Sequence, residues 1–101
     1  MSENTKQQFL CIKRPPRKNF ASTITDDEAE IISVHFAYMK QLLEDGVLIM
    51  AGPVTTGEFG VSVFEAESEE AAKEIVYNDP AVAKGLMTPE IYPYRVSLIR
   101  K

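Results

Sequence analysis

Along the 101 residues, strand and helix signals come in the order strand, helix, strand, strand, helix, strand. That order predicts an α+β domain: an antiparallel four-stranded sheet with both helices on one face. Two connections cross over between parallel strands, and such crossovers are right-handed, which gives the ferredoxin-like βαββαβ arrangement. The first strand is apolar on both sides, with Phe9 and Cys11 on one and Leu10 and Ile12 on the other, so the face away from the helices is not built for water. The uncovered face predicts a homodimer in which two sheets pack face to face as a dimeric α+β barrel, with a higher oligomer left open. With 45% hydrophobic and 26% charged residues, the composition is that of one ordinary globular domain over 1–101, with residues 1–7 read as a flexible tail.

Each element has a local cause. Phe9 to Lys13 opens the first strand, and Pro15 and Pro16 stop it because neither can donate to a ladder. A loop follows to about Ile24. Thr25 and Glu28 stand at capping-box spacing, and Asp26 and Asp27 add charge at the positive end of a helix dipole. The helix runs to about Asp45. Ile32, Phe36, Met39 and Leu43 form its apolar stripe, with Ile31, His35, Tyr38 and Leu42 on the neighbouring one, and Gly46 ends it. Val47 to Ala51 is a short apolar run that reads as a buried strand. Gly52, Pro53 and Gly57 turn the chain into a third strand over 60–66, its hairpin partner. Ser68 caps a second helix through Tyr77, and Asp79 followed by Pro80 starts a short helical turn closed by Gly85. The last strand, about Ile91 to Ile99, carries Pro93 near its start, which places it at a sheet edge.

Charge excludes some functions. The net charge is −4, the wrong sign for a module that gains affinity from phosphates, so no nucleic acid partner is expected. Residues 1–20 carry a net +4 and residues 26–79 a net −11, which reads either as two solvated acidic helix faces or as a small basic rim formed by the loop after the first strand. No apolar stretch approaches a membrane span and nothing reads as a secretory leader, so no membrane partner is expected. The lone Cys11 sits inside an apolar run and reads as a buried thiol in a reducing cytoplasm. One His, one Cys and scattered acids lack metal-ligand spacing, and the glycines near 52–60 do not open a helix, so neither a metal nor a nucleotide cofactor is expected.

His35 is the only histidine, and its stripe places the ring beside the core, where a carboxylate can fix its tautomer for proton transfer. Asp79 is the candidate carboxylate, although an N-cap role accounts for it equally well. Arg14-Pro-Pro-Arg17 with Phe20, Thr25, Glu28, His35, Tyr38, Gly46, Ala51-Gly52-Pro53, the acidic run from Glu65 to Glu70, Asp79-Pro80-Ala81-Val82, Gly85-Leu86 and Glu90-Ile-Tyr-Pro93 together resemble the YCII-related domain family. The resemblance implies the dimeric α+β barrel and a His–Asp pair in a pocket, matched here by His35 and Asp79. One branch of that family removes hydrogen chloride from a chlorinated hydroxyquinol, and its fold is similar to that of muconolactone isomerases. It implies a small-molecule site in which Arg14, Arg17, Tyr38, Gly52 and Pro53 are candidate substrate contacts. Family members tend to carry an Arg one helical turn before the His. Ile32 stands near that turn here, so Arg14 or Arg17 is the candidate replacement, with surface solvation the competing reading. The expected activity is a cofactor-free lyase or isomerase acting on a phenolic, lactone or anionic substrate. The alternative is a non-catalytic dimeric binding module with the same fold.

Overall fold

The first strand begins two residues before its apolar run. In the computed structural model, which describes residues 6–100, β1 spans Gln7–Arg14 and alternates strictly. Phe9, Cys11 and Lys13 are buried on one side, while Leu10 and Ile12 are half-buried on the other. Most of the tail expected over 1–7 lies outside the described residues. The loop after β1 contains one helical turn, α1 (Phe20–Thr23), entered through Asn19 at φ 58°, a left-handed conformation that Asn tolerates better than most residues.

The long helix α2 (Asp26–Glu44) has the capping box its sequence encodes: Glu28 N–H donates to Thr25 Oγ1 at 3.2 Å and Thr25 N–H donates to Glu28 Oε1 at 3.0 Å. It ends at Gly46, whose φ of 78° relieves the chain of a Cβ penalty. Strands β2 (Leu48–Pro53) and β3 (Gly60–Ala66) form the expected hairpin. Helix α3 (Glu69–Tyr77) is capped by Ser68, α4 (Pro80–Ala83) by Asp79, and β4 (Thr88–Tyr94) closes the sheet. The sheet order is β2-β3-β1-β4, antiparallel throughout, which is the ferredoxin-like order. The core lies between sheet and helices: Phe9 and Phe64 stack at 5.9 Å, and Leu48, Ala72, Val76 and Val82 pack around them.

Three sequence expectations change. On α2 the stripe Ile32, Phe36, Met39, Leu43 does not face the core as a unit, since Phe36 is 63% and Leu43 53% exposed. The buried side combines Met39 with the neighbouring stripe of His35, Tyr38 and Leu42. The helix is apolar on more than half its circumference, so periodicity leaves two solutions and packing selects one. β2 is buried only at Leu48, and Met50 is 55% exposed, because β2 is an edge strand and Met50 shares the open face with its partner Val63. β4 ends at Tyr94 rather than near Ile99. Its register runs from Arg14↔Thr88 to Gln8↔Tyr94, one residue short of the start of β1. Beyond it, Val96 N–H donates to Gln8 Oε1 at 2.7 Å. Pro93 therefore lies near the end of the strand, and β4 is an edge, as the proline requires. Leu10, Ile12, Val61, Val63, Met50 and Tyr92 share the face opposite the helices. Among the described residues no helix is long and apolar enough to cross a membrane.

Candidate active site

Asp79 ends the loop after α3 in an extended conformation, and Pro80, with φ preset for a helix, starts α4. Its Oδ1 accepts the Ala81 N–H at 3.0 Å, which satisfies the cap and fixes the carboxylate. Because α4 packs against α2, that carboxylate meets His35: Nδ1 lies 2.9 Å from Oδ1 and 2.7 Å from Oδ2. The third partner comes from β1. Lys13 Nζ is 2.6 Å from Oδ2 and also lies 3.7 Å from the Met39 sulfur. Asp79 is fully buried and Lys13 is 8% exposed, so an anion that would be costly alone is held by two nitrogens and a backbone amide. Burial pushes the Asp79 carboxyl up. The His35 and Lys13 hydrogen bonds, the Lys13 charge and the Ala81 amide outweigh it, and the group lies below the usual carboxylate range.

All the groups that reach Asp79 are donors, so the hydrogen on the His35 ring sits on Nδ1 and the lone pair of the neutral imidazole sits on Nε2. The imidazole side chain keeps 18% of its surface exposed. The interior beside Lys13, Tyr38, Met39 and Ser62 holds a void of only about 10 Å³, room for one water, and neither His35 nor Asp79 lines it. The Tyr38 hydroxyl is committed, donating to the Ile75 carbonyl at 2.6 Å, and burial, then the Asp79 charge, raise its pKa. Cys11 is a buried thiol raised by burial, with Lys13 and a Ser62 hydrogen bond opposing.

The profile of the YCII-related domain matches residues 8–95. The chain belongs to the YCII-related domain family. An uncharacterized protein of Bacillus subtilis (strain 168), YjpA, is 38% identical over 56 residues, covering 55% of this chain and 66% of that protein, just under two thirds of its length. The fold is similar to that of 5-chloro-2-hydroxyhydroquinone dehydrochlorinase from Burkholderia phenoliruptrix AC1100, solved with 2,5-dihydroxybenzoquinone. The TM-score is 0.62 at 22% identity, over 86% of this chain and 93% of that one.

In this YCII-related domain the structure gathers His35 and Asp79 but not the two arginines. Arg14 follows inward-facing Lys13 and so turns to the other side of the sheet, where Nη2 lies 3.4 Å from Glu90 Oε1 and the guanidinium stands over Phe59. Arg17 is tied down: it donates to both Glu28 carboxylate oxygens at 2.9 and 2.8 Å and to Thr23 Oγ1 and O, and covers the Phe20 ring. Gly52 pairs with Val61 on the open-face row. Pro53 pairs with Gly60, which pairs with Lys13 in turn, so Pro53, Gly60, Lys13 and Pro89 form one row across the end of the sheet. Gly60 leaves that row open: a Cβ there would meet only the Gly52 carbonyl, at 3.8 Å. Lys13 is absent from the candidate site residues of the sequence, where it only ends the first strand's run and adds to the charge of residues 1–20. The signal was present, because Phe9, Cys11 and Lys13 alternate, and a lysine in phase with a buried face needs an anion.

Proposed function

We propose that this protein is a cofactor-independent lyase or isomerase in which His35 is the general base and Asp79 its orienting carboxylate. The carrying observation is His35 Nδ1 at 2.7 Å from a wholly buried Asp79 that is also the cap of α4. The carboxylate holds the tautomer with Nε2 as acceptor. Nε2 takes a proton from a substrate C–H or O–H, and Asp79 stabilises the imidazolium that results. In a lyase step the C–H electron pair becomes a new C=C bond and the leaving group departs with its own pair. In an isomerase step the imidazolium returns the proton to another carbon. The open row at Gly60, which pairs with Lys13, suits a flat ring, and the fold neighbour solved with a dihydroxybenzoquinone supports an oxygenated six-membered ring as the substrate class. The apolar face of Leu10, Ile12, Val61 and Val63 supports pairing of two copies through their sheets, and the free thiol of Cys11 suits a reducing cytoplasm.

The test is a panel of chlorinated hydroxyquinols, hydroxybenzoquinones and lactones, followed for chloride release or for deuterium uptake in D₂O. H35A is expected to lose about 10²–10⁴-fold of the rate seen with the native protein. Ligands that bind native protein and H35A alike, with no turnover by either, would identify a binding module instead.

A further inference from the structure

Lys13 does more in this site than neutralise a buried acid. Its Nζ and the His35 Nδ1 approach the same atom, Asp79 Oδ2, at 2.6 and 2.7 Å. The carboxylate is therefore divided between the Lys13 ammonium and the imidazole Nδ1–H. With Lys13 charged, Asp79 and Lys13 together are neutral, and a second proton on His35 would leave a net positive charge beside two almost wholly buried groups. With Lys13 removed, the same carboxylate would face the imidazole alone and favour its cation.

We propose that Lys13 is a positioning residue for the reactive imidazole: by sharing Asp79 Oδ2 it lets the carboxylate orient the His35 ring without trapping the ring as imidazolium, and so keeps Nε2 able to accept a proton. The other titratable groups facing the cluster are Cys11 on β1 and Tyr38 on α2. Burial raises both, so each stays uncharged while an imidazole titrates. From the remaining neighbours among the described residues come the Ala81 amide of α4, the Met39 thioether of α2 and the Ser62 hydroxyl of β3. The consequence for catalysis rests on His35 being the reactive base, but the electrostatic claim does not, because it can be read on the imidazole itself.

His35 is the only histidine in the chain, so its ring protons give a single NMR titration without assignment ambiguity. In K13M and K13Q the midpoint is expected about one to two pH units above that of the native protein, as for any group that gains the undivided field of an adjacent opposite charge. K13R, which keeps the cation, is expected to titrate near the native midpoint. Midpoints of K13M and K13Q that coincide with the native one overturn the proposal. Should neither variant fold, the native protein still decides: the Lys13 ζ-nitrogen resonance is expected to move as His35 titrates, and a ζ-nitrogen indifferent to that titration overturns the proposal equally. Loss of turnover in H35A with no shift in K13M and K13Q would keep the enzyme and discard the role of Lys13. A shift in a protein that turns nothing over would do the reverse.

Discussion

Replacing Asp79 by Asn isolates the charge at the centre of the site, because Asn is as good an N-cap as Asp and nearly the same shape. What D79N removes is the anion between Lys13 and His35. Lys13, with 9% of its side chain exposed, is then left as a buried cation without a counter-charge. Breaking a buried pair in this way costs about 3–5 kcal/mol, against roughly 1 kcal/mol for an ordinary lost hydrogen bond. At about 4–8 °C per kcal/mol for a domain of this size, the melting temperature falls on the order of 12–40 °C. Far-UV circular dichroism during urea and thermal unfolding, at one fixed protein concentration, measures it. The double variant K13M with D79N removes the stranded cation as well and is expected to lose less than D79N alone. The pH dependence carries the same signature. Since the folded carboxyl lies below its unfolded value, its stabilisation is complete above about pH 4 and is lost as pH falls through the folded pKa, at up to about 1.4 kcal/mol per pH unit. D79N lacks that portion of the acid limb. A D79N loss below about 1 kcal/mol at pH 7, or a double variant no better than the single, would refute the buried-charge argument.

Other consequences are open to direct measurement. Glu28 is held down to about 2, chiefly by the Arg17 hydrogen bonds and then by the Thr25 amide; its carboxyl carbon titration is expected there, and in R17M it should return towards the ordinary value of roughly 4.3. G60V has room and a strand backbone that suits a β-branched residue, so it is expected to fold as well as the native protein while losing small-molecule binding at least about tenfold, measured by ligand-observed NMR. Undiminished binding would remove Gly60 from the site. I12E, a charge at the centre of the open face, is expected to convert a sheet-to-sheet dimer to monomer in light scattering, and a native protein that already runs as a monomer would contradict that assembly.

What the sequence made legible follows the range of each interaction. Thr25 with Glu28, Ser68 with Ala71 and Asp79 with Pro80 act within one turn, so their motifs predict the starts of α2, α3 and α4 closely. The end of β4 is set by how far its pairing with β1 continues, and nothing inside Ile91 to Ile99 records that. Which apolar stripe of α2 turns inward depends on the sheet and α4, so Phe36 looked as suitable as Tyr38. His35 and Asp79 are 44 positions apart and were paired by family resemblance rather than by spacing. Lys13, 66 positions from its carboxylate, had only its alternation to mark it. Arg17 offers only its charge as a signal, which leaves substrate contact and surface solvation open, and its partners Thr23 and Glu28 flank the cap that defines the helix start.

The double duty of Asp79 has a consequence for how such a site changes over generations. One side chain closes the helix α4, fills a fully buried position and carries the carboxylate, so a substitution there is met first as a folding defect and only then as a chemical one. His35, part-exposed and without a hydrogen-bond partner on Nε2 among the described residues, is under no such structural obligation. A lineage that gave up the chemistry would therefore be free to drift at His35 while retaining Asp79. On the proposed function, the aspartate alone in such a protein would report a scaffold, and the histidine would report the base.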